Sequence, residues 1–141
     1  MQDVAYSNVI TAWLREKLLE KPFPQTVFRL PEQKYGETMN RIYGPIAESC
    51  MALQKKVGNY TAERLPVYLE KETEIRKVLS EMPPAAEIRK LLYLVGLDMA
   101  AFYDLYSEEK QKKAVFYTKE RKGRYTVLWL HYDFYGENAH V

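Results

Sequence analysis

The chain has a single cysteine, and this scarcity restricts both its chemistry and its compartment. Cys50 has no second thiol with which to form an intramolecular disulfide, which is typical of proteins from a reducing cytosol. The sequence also lacks any run of about 18 apolar residues that could span a membrane. The N-terminal stretch MQDVAYSNVITAW has neither the basic start nor the cleavage region of a signal peptide. We therefore expect a cytoplasmic protein without a membrane segment.

Histidine is scarce as well, and glycine-rich phosphate loops are missing. A metal site needs several His, Cys, Asp or Glu side chains that converge on one point, but the histidines are His131 and His140 alone. His131 and Asp133 are two positions apart and would point to different faces of a helix. Neither a GxGxxG nor a GxxxxGK pattern occurs. We therefore predict no metal ligand and no cofactor-binding residue in this chain.

Candidates for nucleophilic or acid–base catalysis are few. Cys50 falls on the predicted apolar face of its helix, and free cysteines in such places are usually buried packing residues. The acidic pair Glu70 and Glu74 falls on a charged helix face, where solvation accounts for it. We therefore predict no catalytic residue.

One basic run stands out near the C-terminus. Between Lys110 and Arg124 there are seven basic residues and one acid, with Phe116, Tyr117 and Tyr125 interleaved. Such a run could bind a phosphate backbone and stack bases. We favour a helix with a basic solvent face and an aromatic core face. The net charge of +2 is too small to argue for nucleic acid by itself, so nucleic acid is not expected as a partner.

Helical periodicity is present along most of the sequence. The 141 residues are 47% hydrophobic, which suits a single folded domain over residues 1–141. The first helix has one apolar face and ends before the prolines of KPFPQ. Further helices are predicted near Gln33–Ile42, between Pro45 and Gly58, from Leu65 towards Met82, between Pro84 and Gly96, as a short piece in LDMAAFYDLY, after the possible cap Ser107, and over YTVLWLHYDFYG. The fold class is therefore all-α, a multi-helical orthogonal bundle of about six to eight helices.

Three of these helices carry apolar residues that we expect to be buried. They are Ile46, Cys50, Leu53 and Val57 in the helix before Gly58, Leu65, Leu69, Ile75, Val78 and Leu79 in the helix from Leu65, and Ile88, Leu91, Leu92 and Val95 in the helix before Gly96.

The ordered set of segments resembles a known family. RYTVLWLHYDFYG closely resembles the C-terminal helix of sn-glycerol-1-phosphate dehydrogenases, relatives of dehydroquinate synthase and of iron-containing alcohol dehydrogenases. PPAAEIRKLLYLVG, AVFYTKERKGRYT, IYGPIAESCMALQKK and VAYSNVITAWLREKLLE are similar to other segments of that family, in the same order. The resemblance covers almost the whole chain and implies the distal helical part of such an enzyme.

The departures from the family are as informative as the resemblance. The family's α/β nucleotide-binding domain is absent, and its Asp and two His metal ligands would fall outside this sequence. The Gly-Thr of its next helix is replaced by Ser7 and Asn8. NAD(P) and a divalent metal such as zinc are implied for a full-length parent that reduces dihydroxyacetone phosphate, but no functional residue can be transferred to this chain.

The resemblance therefore implies a truncated oxidoreductase domain that is inactive alone and has a structural or interaction role. One alternative is a subunit of a split metal-dependent dehydrogenase, active only with a nucleotide-domain partner. A weaker alternative is a small basic RNA-binding module.

The resemblance also suggests where a partner would bind. In the family the first helix packs beside elements that this chain lacks, so its apolar residues would lose part of their cover. We therefore expect self-association, or binding of a nucleotide-domain chain, through the Met1–Leu19 helix. The residues concerned are Val4, Tyr6, Val9, Ile10 and Trp13.

Overall fold

The computed structural model describes residues 2–60 and 63–136, and these residues form an all-α fold. No strand occurs within those two ranges. Seven of the α-helices have nine residues or more, which confirms the expected class. The helices are α1 (Gln2–Leu19), α2 (Glu32–Tyr43), α3 (Ala47–Val57), α4 (Leu65–Glu70), α5 (Glu72–Ser80), α6 (Ala85–Leu94), α7 (Met99–Leu105), α8 (Glu108–Tyr117) and α9 (Val127–Tyr135), with short 3-10 helices at Gly44–Ile46 and Thr118–Arg121.

The helix ends follow local chemistry. The Ser107 hydroxyl accepts a hydrogen bond from the Lys110 amide at the start of α8, as the sequence suggested. Gly58 ends α3 in the left-handed region, with φ of 71°, and Gly136 ends α9 with φ of 60°. A Cβ at Gly136 would also lie 2.7 Å from the Phe28 ring. The helix predicted from Leu65 is divided at Lys71 into α4 and α5.

The long helix α1 lies between two parts of the core. Its N-terminal half packs on α6 and α7, and its C-terminal half packs near α5 and α9. In the first cluster Tyr6 and Val9 contact a group that includes Met99 and Phe102. In the second, Leu18 joins the side chains Phe23, Tyr68, Leu130 and Phe134.

A further part of the core lies around α2, α3 and α9. The α2–α3 cluster consists of Leu30, Tyr35, Met39, Ala47 and Cys50. Beside it, Phe116, Trp129 and Tyr132 form an aromatic cluster. This packing fixes α9 against elements that are far from it in sequence.

The three predicted sets of apolar residues are only partly buried. In α4 and α5, Ile75 and Leu79 pack on the core, whereas Leu69 and Val78 are exposed. In α3, Cys50 is buried, but Ile46 and Val57 are exposed, and Gln54 is buried in their place. In α6, Ile88 and Leu92 pack on the α1 cluster, whereas the other half of the stripe faces solvent. Within the two ranges that the structure covers, no helix is both long enough and apolar enough to cross a membrane.

Candidate functional site

Helix α9 carries a carboxylate that is completely buried. Asp133 is 0% exposed, and its Oδ1 lies 2.6 Å from Arg29 Nη1 while its Oδ2 lies 3.6 Å from Arg64 Nη1. The Tyr68 hydroxyl donates a hydrogen bond to Oδ2, and the Phe28 amide donates to the Asp133 carbonyl at 2.6 Å. A buried carboxylate is stable only when its charge is paired in this way. The Asp133 side chain therefore joins α9 to α4 and to the segment before α2.

The network continues from Asp133 through Arg64. The Arg64 Nη2 group donates to Asn59 Oδ1 at 2.9 Å, and the Arg64 Cζ lies 4.9 Å from the centroid of the Tyr125 ring. The hydroxyls of Tyr125 and Tyr68 are hydrogen bonded to each other. Burial raises the pKa of both phenols above the ordinary value. Both therefore remain neutral and available as hydrogen-bond donors at physiological pH.

A second buried network lies beside Trp129. The Nζ of Lys119 is 2.9 Å from Glu120 Oε1, and both side chains are buried. The Tyr35 hydroxyl donates to Glu120 Oε2 at 3.0 Å, and Gln54 Nε2 donates to the Glu120 carbonyl at 2.8 Å. Lys119 Nζ also lies 4.0 Å from the centroid of the Tyr132 ring. These contacts connect the 3-10 helix after α8 to α2, α3 and α9.

The histidine and cysteine candidates lie in packed positions. The centroid of the buried His131 ring is 4.9 Å from that of the Tyr135 ring. The Asp133 carboxylate pairs with Arg29 and Arg64. Cys50 is buried in the α2–α3 cluster, as predicted. Residues 2–60 and 63–136 contain no group of three or more His, Cys, Asp or Glu side chains that could hold a metal ion. His140 lies outside these ranges.

The acidic pair on the fourth and fifth helices is solvated, as the sequence analysis expected. Glu70 and Glu74 are exposed. Lys71 Nζ lies between them, 3.3 Å from Glu70 Oε1 and 3.7 Å from Glu74 Oε1. Surface ion pairs of this kind contribute little to stability.

The basic run does not form one continuous basic surface. Lys112 and Lys113 pair with Glu108 and Glu109 one turn earlier on α8, and Lys119 is buried. The exposed basic residues that remain are Lys110, Arg121, Lys122 and Arg124. Two of the interleaved aromatic residues, Phe116 and Tyr125, pack on Tyr132 and Tyr68. For α8 this arrangement agrees with the favoured interpretation, a helix with a basic solvent face and an aromatic core face. The burial of Lys119 and Glu120 was not predicted.

Helix α6 exposes more large apolar side chains than α1 does. The expectation that Tyr6 and Val9 lack cover is wrong, because α6 and α7 bury both. Val4 is the clear exception on α1, at 66% exposed. Three large exposed side chains of α6 and its C-cap follow helical spacing and share one face. They are Leu91, Leu94 and Val95, at 56%, 70% and 73% exposed, whereas Tyr93, at 71% exposed, lies on the other side of the helix.

Comparisons with known proteins do not assign the chain to a family. No family model matches the chain, and no similar curated protein or solved structure was found.

The residues of the two buried networks were largely missed by sequence reasoning. Arg29 and Asp133 are 104 positions apart, and no periodicity connects them. A weak signal was present for Asp133, since an acid in the middle of the apolar run LWLHYDFY must be paired if that run is buried. Lys119 and Glu120 gave no such signal, because they lie in a run of charged residues that resembles a solvated surface.

Proposed function

We propose that this chain is a helical domain with a structural or interaction role, similar to the distal part of a glycerol-1-phosphate dehydrogenase, and that it does not carry out hydride transfer alone. The observation that carries the proposal is the apolar face of α6. The residues Leu91, Leu94 and Val95 are each more than half exposed, and exposed apolar patches often mark an interaction site.

The buried charges support the structural side of this proposal. Asp133 is engaged by Arg29 and Tyr68 from other parts of the chain, and Glu120 is engaged by the adjacent Lys119 and by the distant Tyr35. A general acid or base has to reach a substrate, and these carboxylates are instead used to hold helices together. Their arrangement is that of a fixed scaffold.

We expect the α6 face to associate with a second copy of the chain. The partner that the sequence favoured, through the Met1–Leu19 helix, stays a prediction, but α1 offers little exposed apolar surface beyond Val4. Sedimentation equilibrium over a range of concentrations tests the choice. Leu94→Glu/Val95→Glu should abolish association, because two carboxylates would be desolvated in the interface, whereas Val4→Glu should not.

Lys34→Glu is the control, since it introduces a carboxylate at an exposed polar position on a different helix, α2. It should leave association nearly unchanged. A chain that remains monomeric at every concentration and binds no apolar dye would contradict the proposal. Association that is lost in Val4→Glu and kept in Leu94→Glu/Val95→Glu would return the interface to α1.

The exposed α6 face would also suit a different chain, as the split-dehydrogenase alternative requires. That alternative predicts oxidation of NAD(P)H with dihydroxyacetone phosphate only after a nucleotide-domain chain is added. The purified chain alone should show no turnover above a heat-inactivated control, with or without zinc. Turnover by the isolated chain would contradict both versions.

A further inference from the structure

A cleft with a volume of about 660 Å³ opens between α1, α6, α7 and the start of α8. This volume lies within the range of roughly 300–1,000 Å³ that small-molecule sites occupy. Three aromatic side chains line it from different elements: Trp13 of α1, Tyr103 of α7, and Tyr106 between α7 and α8. Its base includes the small side chain of Ala85. The cleft is therefore large enough for a ligand and is walled by rings.

The rings of this cleft do not fill it by packing on one another. Tyr103 and Tyr106 both pack against Phe102, with centroid separations of 5.8 and 5.0 Å. The Trp13 ring has Lys17 Nζ 5.3 Å from its centroid, and within the described ranges it has no aromatic neighbour. Aromatic pairs prefer centroid separations of about 4.5–7 Å. The space beside Trp13 and Tyr103 can therefore admit a planar ring of a ligand.

Two carboxylates and one guanidinium line the cleft, and they differ in their partners. Glu16 Oε1 accepts a hydrogen bond from the Ala85 amide at 3.1 Å, and Glu108 pairs with Lys112. Arg89 also lines the cleft, and its guanidinium has no hydrogen bond or ion pair with any described residue. A guanidinium binds a carboxylate through two parallel hydrogen bonds. Arg89 is therefore the group of this lining that can bind a carboxylate.

We infer that this cleft binds a small aromatic carboxylate of one or two fused rings, with the ring against Trp13 and Tyr103 and the carboxylate on Arg89. Arg89 and the exposed stripe of α6 point to opposite sides of that helix, since Arg89 is about 180° around the helix from the middle of the stripe. Association through α6 would therefore leave the cleft open, and the two proposals can fail separately.

The experiment uses 2-naphthoate as the probe and 2-naphthalenemethanol as its neutral counterpart. Isothermal titration calorimetry should show 2-naphthoate binding about tenfold more tightly, because a charged hydrogen-bonded pair contributes more than a neutral one. Cyclohexanecarboxylate, which has no aromatic ring, should bind more weakly than 2-naphthoate. In a ¹⁵N NMR spectrum the Trp13 indole signal should move on titration and the signal of the buried Trp129 should not.

The variants test whether the Arg89 guanidinium, rather than non-specific binding, causes the preference for the carboxylate. Arg89→Gln should remove the preference for 2-naphthoate over the alcohol, and Lys90→Gln, its neighbour outside the cleft, should keep it. Arg89→Lys, which keeps the charge without the planar fork, should give an intermediate preference and guards against a misfolded glutamine variant. The inference is overturned if 2-naphthoate does not bind saturably, if acid and alcohol bind equally to the unmodified chain, or if Lys90→Gln has the effect expected of Arg89→Gln.

Discussion

Trp129 gives the most direct test of how the core is assembled. It lies within α9 and is 0% exposed. Its ring meets Tyr60 and Tyr132 edge-on, with centroid separations of 6.4 and 5.8 Å. Lys119 Nζ and Arg64 Cζ lie 5.0 and 5.8 Å from its centroid. Replacing Trp129 with alanine would therefore remove the aromatic centre that both buried networks share.

The magnitude follows from three terms. Truncating a buried Trp to Ala costs about 3–5 kcal/mol from lost burial and the cavity that remains. The lost cation–π contacts with Lys119 and Arg64 favour the upper part of this range, at about 1 kcal/mol each. One term opposes them: Trp129 Nε1 has no hydrogen-bond partner among the described residues, so its removal recovers about 1 kcal/mol. We expect Trp129→Ala to lower the free energy of unfolding by about 4 kcal/mol.

Urea unfolding followed by far-ultraviolet circular dichroism measures this loss. Trp129→Phe is the control, because it keeps a ring and removes the unpaired N–H, and it should cost less than about 1.5 kcal/mol. The corresponding thermal shift for Trp129→Ala is about 12 °C. A loss below about 1 kcal/mol would refute the reasoning, since it would mean that the ring is not a core residue in solution.

Two further predictions concern the polar groups. Asp133→Asn should lower the free energy of unfolding by about 3–5 kcal/mol, because two neighbouring guanidinium groups lose their carboxylate. The control Asp104→Asn, at an exposed position, should change it by less than about 0.5 kcal/mol. Equal effects of the two substitutions in urea unfolding would contradict this. Burial raises the pKa of Tyr35, Tyr68 and Tyr132 above 10.0, so the folded state keeps these phenols neutral. Well below pH 10 these phenols are neutral in the folded and the unfolded state. Between pH 10 and 11 they ionise only in the unfolded state, so the free energy of unfolding should fall by about 3 kcal/mol. Tyrosinate absorbance that rises in this range without any loss of stability would argue against this.

Local sequence signals were sufficient for the helices and their ends. Ser107 caps α8 and Gly58 ends α3 because these positions depend on backbone conformation and on hydrogen bonds within a few residues. The all-α class follows from the same periodicity. The division at Lys71 was not predictable, because LPVYLEKETEIRKVLS continues a helical pattern through it.

Burial was less predictable than helicity. In α6 the apolar residues extend more than halfway around the helix, and the sequence does not indicate which half packs on α1. Lys119 can be buried because Glu120 pairs with its ammonium group and aromatic rings from α8 and α9 surround it. Trp13 and Arg89 are 76 positions apart in the chain, so the cleft that they line depends on how α1 and α6 pack.

The position of α9 along the chain has a consequence for biosynthesis. Translation runs from the N-terminus, so Arg29, Tyr68 and Lys119 are made before the helix that pairs with them. Until Trp129 and Asp133 have left the ribosome, the nascent chain holds two arginines without their carboxylate and an aromatic cluster without its central ring. Both buried networks therefore stay incomplete during synthesis until α9 has been made, and their completion depends on contacts between residues far apart in sequence, which form slowly.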